Sequence, residues 1–186
     1  MNRSTIAEEH EIIRQCRDGD ADQYALLVDK YKAMAYNIAY RMLGDADTAK
    51  DMAQESFISA YVALENFQYG SKFSSWLYRI VVNKCKDYLK AERETVPVDE
   101  FGDVIPAGER TPEQAASSHQ TGDAVQKALD ALPIEYRDVI VLKHIEELDY
   151  REIADILGVG VGALKVRAHR GREMLKELLE RMGVSV

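Results

Sequence analysis

A cationic run near the C-terminus is the strongest chemical feature of this sequence. Residues 160–172 contain no acidic side chain and four basic ones, Lys165, Arg167, Arg170 and Arg172. The run follows Gly158, and Ala154 and Leu164 have the spacing at which the two helices of a helix-turn-helix cross. The second helix of such a unit enters the DNA major groove, where arginine pairs bidentately with guanine. The sequence therefore predicts duplex DNA binding here. The alternative is an ordinary helical hairpin with a solvated basic face.

A second stretch, residues 67–93, mixes aromatic and basic side chains. Unpaired bases offer faces for stacking while phosphates require positive charge, so this composition suits single-stranded nucleic acid. Trp76 and Tyr88 have helical spacing, which is more typical of a core than of a base platform. The loop before the helix and Asn83 are better candidates, because an asparagine amide can read the edge of an extruded base.

A third group lies on one face of a predicted helix. Asp51, Gln54 and Glu55 are spaced i, i+3 and i+4, so their side chains are neighbours. From spacing alone, a solvated helix surface is the simplest interpretation. The formal net charge of −8 is, taken alone, unfavourable for nucleic-acid binding. Binding depends on where the charge lies, however, and two basic stretches on an acidic chain suit two contacts with one polyanion.

Several classes of protein are not supported. The HExxH pattern, the nucleophile elbow, the phosphate-binding glycine loop and spaced metal ligands are all absent. No enzyme activity, cofactor or metal site is therefore predicted. Cys16 and Cys85 lie far apart, which favours a reducing cytoplasm over a disulfide framework. No secretory signal is recognised, and no apolar run approaches the roughly 18 residues that span a membrane, so no membrane insertion is predicted.

The elements that position these groups are predicted to be all helical. We expect two small helical domains, residues 1–94 and 123–186, the second a helix-turn-helix. Residues 95–122 lie between them. This segment holds three of the four prolines and five acidic residues, a composition that predicts a flexible linker. Predicted ends include Gly44 after the second helix, Asp45 or Asp47 at the start of the third, and Ser74 or Ser75 at the start of the fourth. Helices are expected at residues 6–17, 24–42, 47–66, 75–93, 123–131, 135–144, 151–157 and 161–181, with a short turn near 113–117.

Three segments in this order resemble the extracytoplasmic-function (ECF) group of bacterial RNA polymerase sigma factors. They read DADTAKDMAQESFISAYVALENF, FSSWLYRIVVNKCKDYLK and LPIEYRDVIVLKHIEELDYREIADILGVGVGALKVRAHRGREML. The resemblance covers nearly the whole chain outside the linker. It implies a protein that binds core RNA polymerase, recognises and melts promoter DNA, and carries out no chemistry itself.

The resemblance also implies roles for individual residues. The β′ clamp helices of polymerase would dock on Asp51, Gln54 and Glu55, and the β flap would bind the C-terminal domain. An unstacked base of the minus-ten element would be held by Phe67, Gln68, Tyr69, Gly70, Ser71 and Lys72, with Asn83 and Lys86 beside them. The minus-thirty-five element would meet Lys165, Val166, His169 and Arg170, with Arg167 and Arg172 towards phosphates. An anti-sigma factor is an expected partner.

The sequence departs from the family pattern at the recognition helix. The family commonly has Gly-Thr-Val-Lys-Ser-Arg where this chain has Gly-Ala-Leu-Lys-Val-Arg, residues 162–167. Gly171 replaces a usual alanine, which predicts a weakening of the helix by up to about 1 kcal/mol. Two other interpretations stay open. One is a self-sufficient helix-turn-helix regulator that dimerises on a palindromic site, and the other is a protein-interaction module whose basic helices meet an acidic partner.

Overall fold

The structure, a computed structural model, describes residues 3–95 and 118–184. Within these two ranges every long element is a helix and none is a strand, as the sequence predicts. The α-helices are α1 (Arg3–Arg17), α2 (Tyr24–Leu43), α3 (Ala46–Val62), α4 (Phe73–Thr95), α5 (Ser118–Asp130), α6 (Ile134–Ile140), α7 (Tyr150–Leu157) and α8 (Val161–Arg181). Short 3-10 turns, Ala21–Gln23 and Leu64–Asn66, precede α2 and follow α3.

The N-terminal half is a bundle of α1 to α4 in which α2, α3 and α4 contact one another. Buried residues at helical spacing line the inner face of α2: Leu27, Tyr31, Ala35, Ile38 and Met42. Gly44 ends α2 with φ 76°, and Asp45 caps α3 by accepting a hydrogen bond from the Thr48 amide at 2.8 Å. The predicted serine cap of α4 is wrong, because this helix already begins at Phe73, which is fully buried.

The C-terminal half contains the predicted helix-turn-helix, formed by α7 and α8. Gly158 makes the sharp turn with φ 66°, and Ile153 and Leu164 are fully buried between the helices. The prediction of a single helix over residues 135–144 is only partly correct. The chain is α-helical to Ile140 and then forms a π-helical turn, Val141–Ile145, in which the Glu146 amide donates to the Val141 carbonyl.

A capping box starts α7, as the D-x-x-E spacing of Asp149 and Glu152 predicts. The Asp149 carboxylate accepts from the amides of Arg151 and Glu152 at 2.7 and 2.9 Å, and the Asp149 amide donates to the Glu152 carboxylate. These amide hydrogen bonds, from Glu152 first and Arg151 second, hold the pKa of the Asp149 carboxyl below its ordinary 3.8. The folded state therefore favours the ionised carboxylate.

We expect Asp149→Ala to lower the Tm at neutral pH, because two helix amides lose their acceptor. Since folding depresses the pKa, the stabilisation is complete above the unfolded value of 3.8 and is lost as pH falls through the folded value. Calorimetry from pH 7 downwards should show the two proteins converging below pH 3.8. Asp149→Asn, which retains a cap, is the control. Equal Tm values for Asp149→Ala and wild type at pH 7 would contradict the capping role.

The two halves pack against each other in the structure. Helix α4 contacts α7, and α2 contacts α5 and α6, so buried apolar residues form one continuous core. Helix α5 begins at Ser118, earlier than the predicted 123, and α4 extends to Thr95. Most of the predicted linker and the predicted turn at 113–117 lie outside the described residues. The division into domains at 94 and 123 therefore stays a prediction.

Gly171 has a packing role in addition to its predicted effect on helix propensity. It is buried where α8 crosses α6, and a Cβ atom there would lie 3.0 Å from Cγ1 of Ile140 and 3.3 Å from Cβ of Tyr136. An alanine would therefore gain helix propensity but push α6 away by a few tenths of an ångström. The glycine allows α8 to approach α6 closely, which its effect on helix propensity alone could not indicate.

Candidate nucleic-acid and protein interfaces

The exposed face of α8 carries the residues predicted to meet base edges. Leu164, Ala168 and Gly171 are buried, so the opposite side of the helix points to solvent. That side, here called the recognition face, consists of Lys165, Val166, His169 and Arg170, all exposed. The structure thus brings the four predicted residues together on one helix face.

The two arginines predicted to flank this face differ in their surroundings. Arg167 is half-buried, whereas Arg172 is exposed and its Nη1 donates to Nε2 of His144 at 3.4 Å. Burial, together with Arg172 and Lys143, lowers the pKa of His144, which favours the neutral imidazole that can accept this bond. Both guanidinium groups therefore lie beside the recognition face, and that of Arg172 already has a hydrogen-bond partner, His144.

The loop 67–72 has an inner and an outer part. Phe67 is only 3% exposed, and its ring packs on Trp76 with 5.4 Å between centroids. The Phe67 side chain therefore supports the loop from inside, whereas the family resemblance implies that it contacts an unstacked base of the minus-ten element. The outer residues of the loop, Gln68, Tyr69, Gly70 and Ser71, are exposed, and the Ser71 hydroxyl donates to the Gln68 carbonyl at 2.8 Å.

Polar and basic side chains at the end of the loop and along α4 make contacts with the C-terminal half. Lys72 Nζ lies 2.6 Å from Oε1 of Glu152, and the Tyr78 hydroxyl donates to Glu146 at 2.7 Å. The guanidinium of Arg79 donates to the Asp155 carbonyl. These contacts, an ion pair between Lys72 and Glu152 and two hydrogen bonds, thus join the two halves. Asn83 is exposed on the same helix.

The ion pair between Lys86 and Asp138 is the most buried of these contacts. Lys86 Nζ lies 2.5 Å from Oδ2 of Asp138, whose side chain is fully buried. Burial raises the pKa of the Asp138 carboxyl, although the charges of Lys86 and Arg167 act in the opposite direction. The aspartate therefore depends on its cationic neighbours to remain ionised.

The third predicted group lies on α3 and is accessible. Asp51, Gln54 and Glu55, here called the α3 polar face, are all exposed, and Glu55 lies 3.4 Å from Nζ of Lys84. An apolar groove that the sequence pattern did not indicate lies next to this face. This groove between α2 and α3, about 690 Å³ in volume, is lined by Gln54 as well as by Tyr24, Val28, Tyr36, Phe57, Ile58 and Tyr61.

The groove has an exposed apolar rim. Ile58 is 57% exposed one turn beyond Gln54, and Tyr61 is also exposed. An isoleucine at i+4 on an otherwise polar helix face is the sequence signal that could have revealed it. The combination of exposed carboxylates with an apolar groove is suited to a protein partner rather than to nucleic acid.

Comparisons with known proteins identify the family. The Sigma-70 region 2 model matches residues 27–95 and the Sigma-70 region 4 model matches residues 122–175. The ECF RNA polymerase sigma factor SigW of Bacillus subtilis (strain 168) is 40% identical over 177 residues, covering 90% of this chain and 94% of that protein. This chain belongs to the ECF RNA polymerase sigma factors.

Further similarities span the same length. The RNA polymerase sigma-H factor of Pseudomonas aeruginosa is 31% identical over 185 residues, covering 95% of this chain and 96% of that protein. The solved structure of CnrH in complex with the cytosolic domain of CnrY aligns with a TM-score of 0.67 and 26% identity, covering 91% of this sigma factor and 96% of CnrH. Both halves of the chain are therefore included in the likeness.

The region 2 match contains the α3 polar face, the loop 67–72 and α4, and the region 4 match contains the recognition face. Helix α1 lies before both matches. In the ranges 3–95 and 118–184, no cluster of three or more potential metal ligands occurs, and no helix is long and apolar enough to cross a membrane.

Proposed function

We propose that this ECF sigma factor recognises promoter DNA at two sites, using the recognition face of α8 for the minus-thirty-five element and the loop 67–72 for an unpaired base of the minus-ten element. The observation that carries the proposal is the recognition face: four residues at one exposed side of a helix that follows the turn of a helix-turn-helix. Such a helix fits the major groove, and its flanking arginines suit phosphates. The protein itself performs no covalent chemistry in this proposal.

Binding at the minus-ten element would use the outer part of the loop. Tyr69 offers an exposed ring for stacking, and Asn83 offers an amide that can pair with a base edge. Lys72 and Lys86 would neutralise phosphates. In the structure, however, Lys72 forms an ion pair with Glu152, and Lys86 forms one with Asp138. Promoter binding therefore requires that these two ion pairs open, so that DNA phosphates replace the carboxylates.

The α3 polar face would dock on the β′ clamp helices of core polymerase. Its carboxylates and amide supply directional hydrogen bonds, and the neighbouring Ile58 and Tyr61 supply apolar area for the centre of an interface. The region 4 half would meet the β flap. Since core polymerase would hold both halves on one DNA molecule, the free protein needs only weak affinity for DNA, which agrees with its net charge of −8.

Three further features complete the proposal. The functional units are residues 1–94 and 123–186, connected by residues 95–122. An anti-sigma factor is proposed as an inhibitory partner, and the likeness to CnrH, whose structure was solved in complex with the cytosolic domain of CnrY, supports a protein partner on this fold. The protein acts in the cytoplasm, where core polymerase and the chromosome are found.

Reconstituted transcription tests the proposed function. Core RNA polymerase, with and without the sigma factor, is incubated with a library of genomic fragments, and the 5′ ends of the transcripts are sequenced. We expect discrete sigma-dependent start sites that share two unlike upstream elements. Failure to obtain such transcripts would refute the proposal. A palindromic shared element bound by a dimer without polymerase would instead favour the self-sufficient regulator.

Two substitutions on α8 should separate base contacts from phosphate contacts. Arg170→Ala is expected to weaken holoenzyme binding by about 1–3 kcal/mol and to relax selectivity at one or two positions. Arg167→Ala should weaken binding evenly across sequences and reduce the slope of log K against log salt by about 1. Fluorescence anisotropy at several salt concentrations measures both effects. Arg181→Ala, at the far end of α8, is the control, and identical behaviour of all three variants would contradict the assignment.

A further inference from the structure

Helix α1, which lies before both family-model matches, holds the loop 67–72 through Arg17. The Arg17 Nε donates to the Leu64 carbonyl at 3.0 Å, and Nη2 donates to the carbonyls of Leu64, Glu65 and Phe67 at 2.6, 3.0 and 2.6 Å. One guanidinium thus serves three carbonyls at the point where the chain leaves α3 and enters the loop. Charge-assisted hydrogen bonds of this kind are stronger than neutral ones.

The same guanidinium supports the exposed ring of the loop. Cζ of Arg17 lies 4.7 Å from the centroid of the Tyr69 ring, within the range of a cation–π interaction. Tyr69 is 41% exposed, so part of its side chain remains available to solvent. Because the guanidinium contact restricts the Tyr69 ring, the ring has fewer conformations to lose when a base stacks on it.

A second residue of α1 contacts the loop. Nε2 of His10 donates to the Ser71 carbonyl at 3.3 Å, and the His10 ring meets the rings of Phe67 and Tyr69 with centroids 5.8 and 5.3 Å apart. Helix α1 therefore contacts alternate loop residues, namely 67, 69 and 71. Gln68 and Gly70, which lie between them, are exposed.

We propose that Arg17, assisted by His10, is a positioning residue for base recognition by this sigma factor: it fixes the loop 67–72 in the shape that selects the unpaired base. This inference rests on the proposed role of the loop in binding the minus-ten element. A loop without regular hydrogen bonding loses conformational entropy when it closes on a ligand. By holding the loop in advance, α1 removes part of that cost and restricts which base fits.

The test uses the 186-residue chain bound to core polymerase and a labelled single-stranded DNA pool with a randomised centre. Bound molecules are sequenced, which gives selectivity, and anisotropy gives total affinity. Arg17→Met keeps the length of the side chain but removes its donors, and we expect the enrichment of the preferred sequence to fall about tenfold. Arg14→Met, one turn earlier on α1 where Arg14 pairs with Glu11, should retain wild-type selectivity.

A fluorescence measurement, a second variant and the Tm make the result decisive. Trp76, the only tryptophan, packs on Phe67, so its emission reports the loop in the absence of DNA and should change in Arg17→Met but not in Arg14→Met. If Arg17→Met does not fold, His10→Leu takes its place, with a smaller loss of selectivity expected. A purely structural role would lower the Tm without altering the enriched sequence.

The outcomes separate the two proposals. If wild type enriches a motif and folded Arg17→Met, or His10→Leu in its place, enriches the same motif as strongly, the positioning role is refuted while the proposed function stands. If wild-type holoenzyme enriches no motif, the minus-ten role of the loop fails and the positioning role fails with it.

Discussion

Replacing Asp51 and Gln54 together with alanine is expected to abolish promoter-dependent transcription while leaving the protein folded. Both side chains are exposed on α3, so their removal takes nothing from the core. If they form the centre of the contact with the β′ clamp helices, binding to core polymerase should weaken by about 100-fold, or about 2.7 kcal/mol, which is ordinary for two central interface residues. Surface plasmon resonance with immobilised core polymerase measures this loss directly.

The control variant replaces another aspartate and another glutamine, which lie outside the α3 polar face, with alanine. Asp22→Ala/Gln23→Ala lies in the 3-10 turn before α2, and it should bind core polymerase and support transcription like wild type. Duplex DNA binding by the free protein should be unchanged in both variants, because the recognition face lies on α8. Full transcription by Asp51→Ala/Gln54→Ala would show that the α3 polar face is solvated surface, the simplest interpretation of its spacing.

Local features of the fold could be predicted from the sequence because short-range physics determines them. The capping box at Asp149, the left-handed glycines at 44 and 158, and the buried stripe of α2 each depend on residues within a few positions of one another. Helical periodicity predicted nearly all the helices. The spacing of Ala154, Gly158 and Leu164 predicted the helix-turn-helix, in which Leu164 is buried, Ala154 is half-buried and Gly158 forms the turn. These are relationships within one or two turns of helix.

Contacts between distant residues could not be predicted in the same way. Composition shows that residues 72–93 are basic, but only the three-dimensional arrangement shows Lys72 beside Glu152 and Lys86 beside Asp138. The burial of Phe67 has the same cause, since its neighbours include Trp76 and a histidine from α1. The apolar groove of α2 and α3 likewise requires two helices to be placed side by side.

Substitution of Arg137 by methionine is expected to destabilise the protein and to loosen its two halves. Arg137 is buried, and its guanidinium donates to the carbonyls of Asp130 and Leu132 in the C-terminal half and to the carbonyl of Met42 at the end of α2. Removing it leaves these carbonyls without that donor. Burial also lowers the pKa of the guanidinium, which means that its own desolvation offsets part of the gain.

The net cost should be about 2–3 kcal/mol, because each buried acceptor left unpaired costs about 1–3 kcal/mol and the desolvation of arginine is relieved. For a protein of this size that corresponds to a fall in Tm of roughly 4–12 °C by calorimetry. Arg151→Met, on the exposed side of α7, is the control and should change the Tm little. A Tm equal to that of wild type in Arg137→Met would show that this guanidinium does not stabilise the fold.

Stability and nucleic-acid binding should change in opposite directions in this variant. As the halves separate, Glu152 and Asp138 move away from Lys72 and Lys86, and these cations become available to phosphate. We therefore expect Arg137→Met to have a larger radius of gyration by small-angle X-ray scattering and tighter binding of single-stranded DNA by the free protein, with a steeper salt dependence. Weaker binding at a larger radius would mean that these two lysines do not bind the strand, and that the acidic residues of the C-terminal half do not compete with DNA for them.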